Sequence, residues 1–331
     1  MDHLRQVEDL QEIRVLADER RLAILQRLMA GPATLSRLGH AMGKHPAWVR
    51  HHLKQLEEAG LVELSGTREI PGFTEKYYRA TAQAFTVSRV VTPGLVEDGA
   101  LLVTGSHDLA LELLARRYRE MGTGGMWVVP LGSLDGLIAL RQGVGQCAGC
   151  HLLDAETGDY NLPYVSRLFP GESMVLVTLA RREQGLIVAP DNPLGLRTLA
   201  DVAERGAHFV NRPRGSGTRL WVDRALREAS IPVAGISGYT ETVSTHTEVA
   251  DRVAAGQADA GVGLRAAAQA EGLGYVPLLH ERFELVLKHC VWVRPEWQMV
   301  SRMLHDHAFV ADATALGGYD LTECGKVRCS C

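Results

Sequence analysis

The sequence predicts an α+β winged helix-turn-helix at the N-terminus followed by a larger α/β domain, and three observations carry that prediction. Residues 46–60 place Pro46 in a helix first turn, Val49, Leu53 and Leu56 at helical spacing, and a stop at Gly60. Residues 61–64 and 76–79 alternate like two strands around a Gly- and Pro-containing tip at 66–72. Beyond residue 98, short apolar runs alternate with helical patterns.

The first 30 residues read as two helices. Leu4, Val7, Leu10, Ile13 and Leu16 make one apolar stripe; Asp18 caps a second helix holding Leu22, Leu25, Leu28 and Met29, stopped by Gly31-Pro32. Thr34 caps a short helix with Leu35, Leu38 and Met42, and Gly43 turns the chain into the helix from Pro46 to Ala59. From Lys44 to Lys54 there are three Lys/Arg, three His and no carboxylate. That end of the helix favours a polyanion, which makes Lys44, His45, Trp48, Arg50, His51 and Lys54 candidate contacts to double-stranded DNA in its major groove. Arg68 at the hairpin tip and Lys76 beside it would reach phosphate or the minor groove.

Composition sets the frame for the rest. At 331 residues, 46% of them hydrophobic, the chain suits two or three domains with mainly aliphatic cores. The net charge of −4 hides an asymmetry: residues 1–90 hold 13 Lys/Arg against 11 Asp/Glu, and residues 91–331 hold 22 against 28. A weakly basic head on an acidic body suits a DNA-binding domain joined to something else. No apolar run reaches 18 residues and Met1 leads into the charged Asp2-His3-Leu4-Arg5, so the expectation is a cytoplasmic protein with no membrane partner. Six Cys in such a chain point to reduced thiols, metal ligation or redox sensing.

The expected boundaries are a winged helix at 1–83, a linker at 84–98, a ligand-sensing domain at 99–323 and a Cys-containing tail at 324–331. Within the sensor, apolar strands fall at 101–103, 126–129, 174–179, 209–210, 260–262 and 275–278, with ligand loops expected at their C-terminal ends. Four junctions offer small or hydroxyl residues where a helix would begin: 104–108, 131–136, 211–219 and 244–246. Free backbone N–H groups with a hydroxyl bind an anion there without a full countercharge. A Ser at a helix start is equally an ordinary N-cap.

Two stretches carry family resemblances. Leu16-Ala17-Asp18-Glu19-Arg20-Arg21-Leu22-Ala23-Ile24-Leu25, the run from His51 to Val62, and Lys76-Tyr77-Tyr78-Arg79 resemble the ArsR family of repressors. That resemblance implies a homodimer on a palindromic operator, although the family's helix-borne Cys metal site is missing because residues 1–146 contain no Cys. Residues 99–323 resemble the two-lobed, type II periplasmic-binding-protein-like domain found fused to helix-turn-helix regulators and to molybdenum-cofactor biosynthesis enzymes. The match runs through Gly149, His151-Leu152-Leu153-Asp154, Gly158-Asp159-Tyr160-Asn161, Arg182-Glu183-Gln184-Gly185-Leu186, Asn211-Arg212, Gly215-Ser216-Gly217-Thr218-Arg219, Gly238-Tyr239, Thr245-His246 and Ala258-Asp259-Ala260-Gly261. It implies two lobes closing on molybdate or tungstate, with Ser106 and Ser133 from the first lobe and Ser216, Gly217, Thr218 and Thr245 from the second.

Other residues admit two readings. Arg212, Arg214 and Arg219 would contact ligand or join an inter-lobe ion pair. His151 would donate to an anion or bond Asp154, and Asp259 would orient backbone or an Arg. Cys147 and Cys150, with Cys324, Cys329 and Cys331, would hold Zn or another thiophilic metal, or else be separate buried thiols and a disordered tail; Cys290 reads as core. There is no Gly-x-Ser-x-Gly elbow, phosphate-loop Lys motif or His-Glu-x-x-His pair, so the expectation is not an enzyme. The sequence thus predicts a one-component transcriptional regulator sensing a small oxyanion. The alternatives are a thiol-based redox or metal(loid) sensor, or an enzyme acting on a bound oxyanion or pterin.

Overall fold

Asp9, rather than the stripe beginning at Leu4, starts the first helix. Its carboxylate accepts from the Gln11 and Glu12 N–H groups, an N-cap that fixes the boundary. The computed structural model describes residues 5–7, 9–87, 100–122 and 124–330. Its contacts divide into two units, Met1–Val91 and Thr92–Cys331.

In the first unit, strand β1 (Arg5–Val7) precedes helices α1 (Leu10–Leu16), α2 (Glu19–Ala30), α3 (Leu35–Met42) and α4 (Pro46–Glu58), then strands β2 (Val62–Ile70), β3 (Phe73–Ala80) and β4 (Phe85–Val87). Asp18 and Thr34 cap α2 and α3 as the sequence predicts. Three expectations change. Val7 is fully buried and β1 pairs in parallel with β4, so residues 85–87 of the stretch read as linker are strand; its residues 88–98, like Leu4, lie outside the described residues. The hairpin is longer than predicted, turning only at Pro71-Gly72, with a bulge between Leu64 and Gly66. Ile24, Leu25, Leu28, Leu38, Val49, Leu53, Leu56, Leu61 and Val62 form the core under it.

The turn between α3 and α4 depends on two glycines. Gly43 ends α3 at φ +62°, and a Cβ on Gly39 would lie 2.7 Å from the Lys44 carbonyl oxygen. Gly39→Ala is therefore expected to cost about 1–3 kcal/mol and to weaken DNA binding while leaving ligand binding unchanged. Urea unfolding followed in parallel with both affinities checks this.

The second unit is built on a nine-stranded sheet. Its elements are β5 (Leu101–Gly105), α5 (Leu109–Glu120), β6 (Met126–Pro130), α6 (Ser133–Arg141), β7 (Cys147–Cys150), α7 (Leu162–Leu168), β8 (Met174–Val188), α8 (Leu199–Glu204), β9 (Phe209–Val210), α9 (Gly217–Glu228), α10 (His246–Ala254), β10 (Ala260–Leu264), α11 (Arg265–Ala270), β11 (Gly274–Lys288), α12 (His289–Trp292), α13 (Pro295–Leu304), α14 (His307–Ala315), β12 (Tyr319–Asp320) and β13 (Val327–Ser330). The strand order β6-β5-β7-β11-β8-β10-β9 splits into two lobes because β8 and β11 serve both. Residues 174–180 of β8 pair with 283–288 of β11 in the first lobe, and 184–188 pair with 274–279 in the second. Register shifts at Pro277/Leu279 and Phe283/Glu284 bend the pair between them.

Each lobe buries its own core. In the first, strand residues alternate between one face, with Cys147, Val175, Val177, Leu285 and Leu287, and the other, with Cys150, Met174, Leu176 and Val286. In the second, Leu186, Val188, Phe209, Ala260 and Val262 pack under α8 and α9. Of the stretch expected as a tail, residues 327–330 form β13, paired with residues 174–177 of β8, and Cys331 lies outside the described residues.

Candidate functional site

Between the lobes, the middle of the β8–β11 pair carries polar side chains that are fully buried. Arg182 donates from Nη1 to Asp108 Oδ2 and from Nε to Glu281 Oε1, both at 2.6 Å. Gln184 Nε2 donates to the same Glu281 oxygen at 2.6 Å, and Thr218 from the second lobe donates to Gln184 Oε1 at 3.0 Å. His151, at the end of β7, bridges Glu281 (2.7 Å) and Ser106 (2.9 Å) through its two ring nitrogens. Burial pushes the Glu281 carboxyl up, but His151 and Arg182 carry it down to about 2. For Arg182 burial opposes the charge, and Glu281 and Asp108 more than restore it.

The lobes close on this network. A Cβ on Gly217 would lie 2.6 Å from His151 Cε1, so only glycine lets the α9 N-terminus approach that ring. Leu134 N–H donates to the Gly215 carbonyl, and His246 N–H to His107 Nδ1, at 3.2 and 3.3 Å.

Within this interior several side-chain nitrogens have no protein partner among the described residues. Arg212 is 2% exposed; its Nε and Nη2 donate to the Val243 and Ser244 carbonyls at 3.1 and 2.7 Å, and Nη1 has no partner among the described residues. No carboxylate lies within ion-pair distance of it among those residues, and burial followed by the field of Arg182 holds its guanidinium down to about 10. Arg182 Nη2 and both ring nitrogens of the fully buried His246 are likewise unpartnered. Burial first, then Arg212 and Arg182, pushes the His246 pKa well below its ordinary value.

The hydroxyls read from the sequence are mostly spent. Ser216 is the N-cap of α9, accepting from Arg219 N–H and donating to the Pro213 carbonyl, and Thr245 caps α10 in a capping box with Glu248. Ser106 and Thr218 belong to the Glu281 network, and Ser133 accepts from His151 N–H at 3.3 Å. The structure thus brings Ser106, Ser133, His151, Ser216, Gly217 and Thr218 to one cleft, with Arg212 behind the α9 N-terminus through its carbonyl, which accepts from Arg219 Nη1. Arg219 pairs with Asp223 on its own helix, Arg214 is exposed, His151 bonds Glu281 rather than Asp154, and Asp259 accepts from the His208 N–H. Arg182, Gln184, His246 and Glu281 were not among the predicted ligand residues. For Arg182 and Gln184 the signal is a polar run, 181–184, inside an otherwise apolar strand, and for Glu281 it is the run 280–282 in the strand that pairs with it.

The cysteines separate. Cys147 and Cys150 face opposite sides of the sheet in different cores, and burial raises both thiols above their ordinary pKa. Cys147, Leu287, Val175 and Cys329 lie in one row across β7, β11, β8 and β13, so the backbones at 147 and 329 stand three strand spacings apart, about 14 Å. Cys324 packs at the edge of the first-lobe core, its thiol pushed by burial up to about 12. Cys290 is exposed rather than core, and Cys331 and the Cys329 side chain lie outside the described residues. Among the described residues no group of three or more His, Cys, Asp or Glu is arranged to hold a metal ion.

On the helix-turn-helix, α4 buries Val49, His52, Leu53 and Leu56 and exposes Arg50, His51 and Lys54, with Lys44 and His45 exposed just before it. His45 caps α4 by accepting from Ala47 N–H. Trp48 is half-buried, its ring edge-on to His52 and beneath the Lys44 ammonium. Lys54 pairs with Glu58, while Arg68 and Lys76 are exposed on the hairpin, Arg68 opposite Glu75. Among the described residues no helix is long and apolar enough to cross a membrane.

Comparison with known proteins agrees with this architecture. Residues 16–65 match a family model described as a helix-turn-helix domain, and residues 114–305 match one described as a PBP superfamily domain. The protein YvgK of Bacillus subtilis (strain 168) is 34% identical over 234 residues, 69% of this chain and 73% of its own length. A Clostridium pasteurianum protein from the 5′ region of a ferredoxin 2Fe-2S gene is 33% identical over 109 residues, 33% of this chain and 96% of its own length. Among solved structures, a Clostridium perfringens protein with bound phosphate, named for a phosphate ABC transporter substrate-binding role, superposes with a TM-score of 0.50 at 14% identity. The match covers 66% of this chain and 98% of that one.

Proposed function

Since the chain belongs to the PBP superfamily and joins that domain to a helix-turn-helix, a combination that makes it a ligand-sensing transcription regulator, we propose that its ligand is a small tetrahedral oxyanion, molybdate or tungstate. The observation that carries this reading is the buried Arg212 guanidinium, without an acid partner and with an open Nη1, within electrostatic reach of Arg182 and His246, whose Nη2 and ring nitrogens are also open. Helices α6, α9 and α10 start at the same cleft, and their N-terminal N–H groups add to the field. In a dry cleft these donors act at low dielectric, and size separates molybdate and tungstate from the smaller sulfate.

The DNA-binding half is proposed to act as an ArsR-type homodimer on a palindromic operator, with Lys44, His45, Trp48, Arg50, His51 and Lys54 at the major groove and Arg68 and Lys76 on the backbone. Closure of the lobes on ligand would shift the balance between conformers of different operator affinity, by no more than the ligand's own preference between them. Selection of operator sequences from random DNA, followed by binding titrations with and without molybdate, tests both halves at once. Arg50→Ala is expected to lose about 1–3 kcal/mol on the selected site alone, and Lys76→Ala to weaken all sequences equally. An Arg50→Ala chain that binds its operator like wild type at matched salt would remove α4 from the groove.

A further inference from the structure

Of the buried cations around the cleft, Arg182 is bonded to both Asp108 and Glu281 and Arg219 is paired with Asp223, which leaves Arg212 as the one without an acid partner among the described residues. An incoming dianion therefore brings one charge more than Arg212 can neutralise, in surroundings where such charge is strongly disfavoured. A proton can supply the remaining charge, and three histidines, His107, His151 and His246, are buried between the lobes. His107 is held by Glu112 at 2.9 Å and accepts the His246 backbone N–H; His151 is held between Ser106 and Glu281. His246 alone has two ring nitrogens without partners.

The charges that act on His246 come from four elements: Arg212 after the end of β9, Arg182 in β8, His107 in the β5–α5 loop, its ring centroid 5.8 Å from that of His246, and His151 at the end of β7. The acids Asp108, Glu281 and Glu112 stand one bond behind these, and Glu248 on its own helix is turned back to the Ser244 and Thr245 N–H groups. With the cleft empty, the two guanidiniums and burial keep the ring neutral; a dianion reverses that field.

We infer that oxyanion binding is linked to the uptake of one proton by His246, which makes this histidine the residue that sets the pH range over which the sensor responds. The inference rests on the oxyanion reading above. The ring's pKa is lowered in the empty protein and raised in the complex, so one proton is taken up per anion at pH values between the two. There affinity falls tenfold for each unit of rising pH, and it levels off outside that window.

The test is calorimetric titration of molybdate into the intact chain at pH about 6.5, near the ordinary His value, in two buffers of different ionisation enthalpy. The expected difference corresponds to about one proton per molybdate. His246→Gln keeps one donor and one acceptor and is expected to bind with no proton uptake. Buffer-independent heat in the wild type, or unchanged uptake in His246→Gln, overturns the inference. The wild-type affinity across the neutral range is the second measurement: a tenfold loss per unit supports it and a flat profile overturns it. Absence of any molybdate, tungstate or phosphate binding is a different failure, that of the oxyanion reading itself.

Discussion

Arg212→Met is expected to remove oxyanion binding while leaving the empty protein at least as stable as the wild type. Arg212 is buried without an acid partner, and its retained contacts are two backbone carbonyls. An isolated buried cation is a burden on the empty fold that a thioether of similar length does not impose. In the complex the same guanidinium would make charge-assisted bonds of about 1.5–3 kcal/mol each. Losing two such bonds weakens binding on the order of a hundredfold or more. Calorimetry with molybdate, paired with the thermal midpoint of the ligand-free protein, reads both effects. Retained affinity would move the anion elsewhere, and a fallen midpoint with retained affinity would make Arg212 a structural residue.

Arg182→Met is expected to behave in the opposite way and to destabilise the fold by about 3–5 kcal/mol, because it strips two buried carboxylates of their cation. Asp108 keeps the Tyr319 hydroxyl and its cap bond to Leu111 N–H, and Glu281 keeps His151 and Gln184, but neither keeps a guanidinium. The loss carries a pH signature. Glu281 sits at about 2 in the wild type, below the ordinary carboxylate value, so its contribution to stability is complete above that value and disappears as the pH falls toward 2. Without Arg182 its pKa rises and that contribution shrinks. The gap between variant and wild type in urea unfolding should therefore be widest near neutrality and narrow in acid. A gap that is constant with pH would mean that packing over the Phe283 ring, 4.3 Å from the guanidinium, is what Arg182 supplies.

Those two arginines also mark how far the sequence could be read. The helix-turn-helix was legible because its signals are local: Asp18 and Thr34 as caps, Gly43 as the stop and Pro46 in the first turn all act within a few residues. The start of α1 was not, because Val7 fits a helical stripe and is claimed instead by pairing with residues near 87. The same limit governs the sensor. Apolar halves of β8 and β11 were visible, whereas their polar middles interrupt the pattern and read as strand ends; only the long-range pairing shows that Arg182, Gln184 and Glu281 are interior. Serines at loop positions drew attention by type, yet Ser216 and Thr245 proved to be helix caps. The sequence offers Arg212 as a candidate and sets His246 within a family motif, but nothing in a sequence announces that a buried nitrogen lacks a partner. The Cys147-x-x-Cys150 spacing left a metal site and separate buried thiols both open, because spacing alone does not say that the two lie on a strand, where three residues put side chains on opposite faces.

Anomalous diffraction from crystals of the intact chain grown with molybdate or tungstate tests the central claim most directly. The account predicts one strong peak inside the cleft, within hydrogen-bonding distance of Arg212 Nη1, Arg182 Nη2 and a ring nitrogen of His246. A cleft without anomalous density at saturating anion, or a peak beside the cysteines instead, would contradict it.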